Sequence, residues 1–313
     1  MRAQWLRSVL RVVTTIEGAP RRTGAVALLA LAALGATGVR GCLPGRGDVR
    51  MATFNIRRFG VEPTDMTRLT AMVGELSADV VAVQEIQSAD RLTELATRLG
   101  PGWRTALSAC GGRREMHVGF LYRSDRLTLR QVREFRELLP EEGGCTDGDR
   151  PGLLAVFDGP DGQPLHALTL HLKAGGQASD VTQRQAQWKR IEALLAHLRG
   201  EGARRIVVLG DVNSTGFLDN ARGERDLIEQ LARRHGLDLA RPPLACTEYF
   251  QHKGDMVPSF LDHALVSEGS LVAGSTRVHS HCAALSCTPQ SPDAMPPTYT
   301  DVSDHCPVTF TVR

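Results

Sequence analysis

Residues 49–56, VRMATFNI, decide how this chain is read. Met51, Thr53 and Phe54 suit a pleated sheet. Asn55 does not, because a buried amide must find hydrogen-bond partners or cost free energy. Arg57, Arg58 and Gly60 follow at once. A strand that ends in an amide and two cations needs an explanation from the strands around it.

Working outward, strands and helices alternate. TDMTRLTAMVGELS (64–77) reads as a helix, with Met66, Leu69, Met72, Val73 and Leu76 at helical spacing and Thr64 placed to cap it. DVVAVQEI (79–86) is a short continuous apolar run, the mark of a strand buried on both faces. SADRLTELATRL (88–99) is a second helix carrying Leu92, Leu95 and Leu99 on one face. HVGFLYRS (117–124), GLLAVFDG (152–159) and LHALTLHLK (165–173) read as three antiparallel strands separated by turns. A long amphipathic helix (179–200), a buried strand RRIVVLGDVNS (204–214) and a helix ERDLIEQLARRHG (224–236) follow, with Gly236 as its C-cap. SFLDHALVS (259–267) and CPVTFTV (306–312) close the chain. The Pro- and Ser-rich stretch Cys282–Thr300 reads as a long functional or disulfide-tied loop. The pattern predicts one α/β domain in which two packed sheets carry helices on their outer faces.

The 313 residues are 42% hydrophobic and 23% charged, enough for a full core. Aromatics are 5%, which argues against a stacking platform for single strands. The first 42 residues differ: arginines precede an apolar run, AVALLALAALGA (25–36), too short for a membrane span and of the length of a secretory core segment. VRGC, ending at Cys42, resembles a lipoprotein processing site. Residues 1–42 are therefore expected to be a signal peptide or a membrane or lipid anchor, residues 43–313 the catalytic domain, and the protein exported, whether periplasmic, secreted or anchored. Six of the 37 basic residues and one of the 35 acidic ones lie in that segment, leaving 31 basic and 34 acidic residues, net −3. Such a domain does not coat nucleic acid by bulk charge and would meet a polyanion at a local site. Six cysteines remain, Cys110, Cys145, Cys246, Cys282, Cys287 and Cys306, and no CxxC pair occurs. Disulfides fit an oxidising compartment, in a pairing the spacing does not choose, with a buried free thiol at Cys306 as the alternative.

Other strand ends carry residues like Asn55. VVAVQEI ends at Glu85, LTLHLK at His171, and VVLGDVNS at Asp211 and Asn213; LDH supplies Asp262 and His263, and SDHCPV supplies Asp304 and His305. Singly, each has an ordinary reading: a solvated acid, a core histidine, an Asx-turn. Together they suggest metal-assisted phosphodiester hydrolysis, with a hard oxygen site for Mg²⁺ (Mn²⁺ or Ca²⁺ as alternatives) and two imidazoles as acid and base.

These stretches, in this order and over residues 50–313, resemble the endonuclease/exonuclease/phosphatase superfamily, and within it the pancreatic-type deoxyribonuclease branch. The resemblance implies a four-layer α/β sandwich of two mixed sheets flanked by helices. It implies that Glu85 is the main metal ligand, with Asn55 and Asp304 near the same ion. His305 polarises the attacking water, Asp262 orients His305, Asp211 and Asn213 hold the phosphate and nucleophile or support the metal, and His171 is a phosphate contact or leaving-group acid. Glu115 lies near the place of a glutamate that pairs with the second histidine in that branch, but one residue out of register, and is left out of the set. His263 reads as structural, and Arg57, Arg58 and Arg150 as candidate phosphate contacts. The leading function is an exported endonuclease on DNA, with RNA as a second candidate substrate. A phosphodiesterase or phosphatase on lipid headgroups or small phosphoesters, and a catalytically silent binding module, are the alternatives. No protein partner is expected, and the protein is expected to be a monomer.

Overall fold

The computed structural model describes residues 47–139, 144–145, 149–214, 223–244 and 246–313. The expected leader or anchor, residues 1–42, lies outside the described residues. The first sheet begins with β1 (Val49–Phe59), crosses through α1 (Met66–Glu75) to β2 (Val80–Ile86), and continues through α2 (Ala89–Leu99) to β3 (Trp103–Leu107) and β4 (His117–Arg123). The second sheet takes β5 (Thr128–Phe135), β6 (Gly152–Asp158) and β7 (Pro164–His171), then α3 (Ala178–Gly200), β8 (Arg205–Asp211), α4 (Glu224–Arg234) and β9 (Leu237–Leu239). A separate hairpin, β10 (Glu248–His252) and β11 (Asp255–Ser259), precedes β12 (Asp262–Ser267). The chain closes with β13 (Arg277–Val278), α5 (Ser280–Ala284), α6 (Pro297–Thr300) and β14 (Val308–Val312).

Each six-stranded sheet is mixed, in the orders β13-β14-β1-β2-β4-β3 and β5-β6-β7-β8-β12-β9. Each holds one parallel pair, β1 with β2 and β7 with β8, and each of these pairs is bridged by a helix. A parallel pair needs such a crossover, and the helix must then lie on a sheet face. Strand alternation therefore sorts the side chains into layers. Val49 and Met51 of β1, with Val80 and Ala82 of β2, meet Ala155, Ala167, Val207 and Leu209 of the other sheet. Ala52, Phe54 and Val81 face the opposite way, onto Leu69 and Val73 of α1 and Leu92 and Leu95 of α2. Leu168, Leu170, Ile206 and Val208 pack outward under Trp188, Ile191 and Leu195 of α3. The result is the expected four-layer sandwich.

Some local expectations change. Asp65, not Thr64, caps α1: its Oδ1 accepts from the amides of Thr67 (2.9 Å) and Arg68 (3.0 Å). The three strands read as one antiparallel set divide between sheets, because β4 pairs with β2 and β3, while β6 pairs with β7 and β5. Strands β3, β5 and β9, the β10–β11 hairpin and β13 were not apparent from periodicity. β3, β5, β9 and β13 lie at sheet edges, where charged and exposed residues erase the hydrophobic alternation. Gly236, with φ +55°, stands just past α4 as expected. The Cys282–Thr300 stretch holds two short helices and is tied by the Cys246–Cys287 and Cys282–Cys306 disulfides; a third bond joins Cys110 and Cys145. Cys306 is thus a bridged cysteine, not a free thiol.

Candidate active site

Register assembles one wall of the site. In the second sheet His171 is the strand partner of Asp211, and Asp211 is the partner of Asp262, so the three stand side by side on β7, β8 and β12. All share the inner face with Ala167, Val207, Leu209 and Ala264. Alternation alone directs them between the sheets.

The facing wall needs a break in that alternation. On β2, Val80 and Ala82 face inward and Val81 and Val83 outward, so Glu85 would face the helix layer. The register with β4 slips between Val83 and Ile86, and the register with β1 slips between Asn55 and Phe59. Glu85 (φ +61°), Arg57 (φ +22°) and Arg58 (φ +46°) take left-handed backbone conformations at these irregularities. Such conformations are costly for side-chain-bearing residues and persist where the surroundings enforce them. The bulge brings Glu85 to the site, where Oε1 lies 3.8 Å from His171 Nε2 and Oε2 accepts from the Arg58 amide at 2.9 Å.

A chain of polar contacts then joins both sheets. Asn55 Nδ2 donates to Asp211 Oδ2 at 3.0 Å. That same oxygen lies 3.4 Å from His171 Nε2 and 3.7 Å from His305 Nε2. His305 Nδ1 donates to Asp262 Oδ2 at 2.8 Å. The loop before β14 is held by Ser303, whose hydroxyl donates to the Asn55 carbonyl (2.7 Å) and accepts from the His305 amide (3.1 Å). Beneath the site Gln84 links Thr53 (3.3 Å) to Thr169 of the other sheet (3.1 Å). Asn213, in a left-handed conformation that asparagine tolerates, turns its amide to the Leu172 carbonyl at 3.2 Å.

Burial and charge set the protonation. Burial pushes the Asp211 carboxyl up to about 7, with Asp262 and Glu85 adding to the rise and His305 and Asn55 opposing it. Burial pulls His305 down, but Asp262, Asp211 and Glu248 outweigh it and hold its pKa well above the ordinary histidine value. Asp211 and His305 therefore titrate together, as two places for one proton. His171 is held neutral by burial, reinforced by the charges of Arg150 and His305.

The structure brings Asn55, Glu85, His171, Asp211, Asp262 and His305 into one contact network, with Asn213 in the adjoining turn. Asp304 adjoins the network without a direct contact to Glu85 or Asp211 among the described residues; its Oδ1 lies 3.5 Å from the Ser303 hydroxyl. Glu115 pairs with His117 at 3.1 Å instead of with His171, whose Nδ1 has no partner among the described residues. His263 is buried and neutral, donating to the Phe260 carbonyl at 3.3 Å and set edge-on to that ring, as expected of a structural residue. Arg150 lies under the site and donates to the carbonyls of His171 (3.1 Å) and Leu172 (2.8 Å). Ser303 and Glu248 were missed by the sequence reading. Glu248 opens β10, pairs across a bridge with His305, and has its carboxyl pushed up to about 8 by burial and the surrounding acids. Nothing local in TEYF marks it; only the pairing with His305 does.

The sequence profile described as the Endonuclease/Exonuclease/phosphatase family matches residues 52–305. The chain belongs to this family. Members are in general hydrolases of phosphoester bonds that typically use divalent metal ions, and this chain has their fold. Among solved structures, an endonuclease/exonuclease/phosphatase from Bacteroides vulgatus is 18% identical with a TM-score of 0.60, the match covering 85% of this chain and 98% of that one. TDP2 of D. rerio, complexed with a single-strand DNA product, is 14% identical with a TM-score of 0.60, covering 85% and 99%. The human Nocturnin catalytic domain, with a bound sulfate anion, is 15% identical with a TM-score of 0.56, covering 87% and 96%. No curated protein matches the chain by sequence.

The donor set fits a family-type divalent cation. Among the described residues Glu85 Oε1 has no hydrogen-bond or ion-pair partner closer than His171 Nε2 at 3.8 Å, which leaves one anionic oxygen for a cation. Among the described residues Asn55 Oδ1 accepts only the Arg57 amide, at 3.0 Å, and it has a second lone pair. All the donors are hard oxygens.

Proposed function

We propose that this protein is an exported, metal-dependent phosphodiester hydrolase whose substrate is nucleic acid, DNA first and RNA second. The observation that carries the reading is the unbroken contact chain Glu85–His171–Asp211–His305–Asp262, drawn from strands of both sheets and the loop before β14. Glu85, with Asn55 and Asp304 as further oxygen donors, would hold Mg²⁺ (or Mn²⁺ or Ca²⁺). Such an ion, when bound, supplies charge that stabilises the phosphoryl oxygens.

The protein's own groups do the rest. Asp262 fixes the ring of His305 by taking its Nδ1–H, which leaves Nε2 to accept a proton from the attacking water. Asp211 takes up the proton that His305 releases to become basic, since the two share one. Asn55 holds Asp211 in place through its amide. His171, neutral and with Nε2 facing the carboxylates, donates a hydrogen bond to a phosphate oxygen or to the departing oxygen. The basic segment and apolar run within residues 1–42 support export.

The test is a substrate panel: supercoiled plasmid, RNA, sphingomyelin, phosphoinositide and a chromogenic diester, each with Mg²⁺, Mn²⁺, Ca²⁺ or chelator. Wild type should nick plasmid with Mg²⁺ or Mn²⁺ and stop with chelator, and Glu85→Ala should lose at least about 10²-fold in rate. Faster cleavage of a lipid headgroup than of DNA would move the substrate to lipids, and no cleavage of any diester would end the reading.

A further inference from the structure

Helix α3 changes character along its buried face. Trp188, Ile191 and Leu195 pack on the second sheet, as an amphipathic helix should. One turn earlier the same face carries Arg184 and Gln187, both fully buried. A guanidinium kept from water is costly unless its N–H groups are paired, so this polar stretch needs a reason.

The reason lies in the chain that leaves β7. Past His171 the backbone runs out of the strand ladder, and buried side chains take up its polar groups. The Lys173 amide donates to Gln187 Oε1 at 2.9 Å. Arg184 Nη1 donates to the carbonyls of Lys173 (2.8 Å) and Gly175 (2.6 Å). Its Nε and Nη2 pair with the two oxygens of Glu224, at 2.7 and 2.8 Å. Glu224 opens α4, the helix that follows β8 in the chain. One guanidinium thus joins the segment after His171 to the helix after Asp211. Arg150 holds the carbonyls of His171 and Leu172, and Gln183 of α3 donates to Asp149, the neighbour of Arg150, at 2.8 Å. The carbonyls of His171, Leu172, Lys173 and Gly175 therefore each receive an arginine N–H.

We propose that Arg184 is a positioning residue: with Glu224 as its counter-ion it fixes the backbone from Lys173 to Gly175, and through it the setting of the His171 ring against Asp211 and Glu85. A buried ion pair seldom stabilises a fold more than apolar side chains of similar volume would. What it supplies here is direction. A planar fork meets two carbonyls and a carboxylate at once, whereas a lysine ammonium offers a single point. The inference rests on the hydrolase reading, in which His171 donates to an oxygen of the reacting phosphate.

The experiment replaces the charged pair by an apolar one, Arg184→Met with Glu224→Leu. It reads the urea midpoint, kcat and KM on bis(p-nitrophenyl) phosphate with Mg²⁺ or Mn²⁺, and the ring resonances of His171 in protein labelled with ¹⁵N-histidine. The midpoint should hold or rise. Yet kcat should fall about tenfold with KM within about twofold, and the His171 resonances should shift. Arg184→Lys, which keeps the charge without the fork, should have a kcat per folded molecule below wild type and above the apolar pair, and it carries the test if that pair does not fold. Arg234→Met breaks an exposed ion pair to Glu192, between the same two helices, and should move neither kcat nor His171. Unchanged kcat and His171 resonances in the Arg184 variants, or equal changes in Arg234→Met, would overturn the proposal. So would a kcat loss that vanishes once rates are divided by the folded fraction, since that is a loss of stability alone. If wild type cleaves no diester, a His171 shift confined to the Arg184 variants leaves the positioning role standing, and the hydrolase reading is what fails.

Discussion

Asp262 uses one oxygen to hold His305, and its Oδ1 has no hydrogen-bond partner among the described residues. Its contribution is therefore orientation and charge at one ring nitrogen. Asp262→Asn keeps the shape but loses the charge and offers Nδ1 a different partner. We expect kcat to fall by about 10²–10⁴-fold with KM little changed, read by steady-state kinetics on the chromogenic diester. A variant with near-normal kcat would show that His305 does not act through this pair. His263, the next residue along β12, points to the opposite face by strand alternation and sets its ring edge-on to Phe260.

Among the elements, β8 is the one whose backbone is least free to change. Gly210 has φ +140°, and a Cβ there would stand 2.1 Å from the Leu170 carbonyl oxygen of β7. Only glycine lets the two strands approach this closely while Asp211, the next residue, reaches the site. Gly210→Ala should cost at least about 2–3 kcal/mol, seen as a lower urea midpoint, and should displace Asp211 enough to reduce activity in the protein that still folds. A midpoint equal to wild type would show that the strand pair has slack. The bulge at Glu85 is the opposite device, an irregular strand that turns a side chain the pleat would have hidden.

Across the whole molecule, two disulfides bind a satellite core around Tyr249, Met256 and Val308 to the end of the sandwich that carries His305. Replacing Cys246 and Cys287 with alanine should cost about 2–4 kcal/mol in urea unfolding. Replacing Cys282 and Cys306 should cost as much and also lower kcat, because Cys306 follows His305 directly. Equal kcat in the two double variants would separate the loop's fixation from catalysis. Stability also follows pH through buried imidazoles. Burial holds His263 at about 3, below the ordinary 6.5 of the unfolded chain. Its contribution is complete above pH 6.5 and is lost as pH falls towards 3, since only the unfolded state gains the proton. The slope in that window approaches about 1.4 kcal/mol per pH unit. His263→Gln, whose amide can still donate to Phe260, should flatten the urea midpoint between pH 6.5 and 5, and an unchanged slope would show that other groups dominate there.

The sequence by itself determined the class of fold and which polar residues meet at the candidate site. Continuous apolar runs at 79–86 and 204–211 are buried strands wherever they sit, because helices cover one face and a second sheet the other. Polar residues at their ends are then forced to the rim of the core, where burial demands partners, and this made Asn55, His171, Asp211 and Asp262 legible together. Tertiary structure alone decided the rest. The edge strands β3 and β5 are specified by pairing with a neighbour, not by their own pattern, so periodicity did not reveal them. The inward turn of Glu85 depends on register slips against two different strands, which no stretch of residues encodes locally. Glu248 enters the site because its backbone pairs with His305, 57 positions away in the sequence. Glu115 was excluded on register, and in the structure it pairs with His117 and not with His171. Local pattern follows from which side chains must leave water; contact between distant strands follows from register and bulges, which only the folded chain contains.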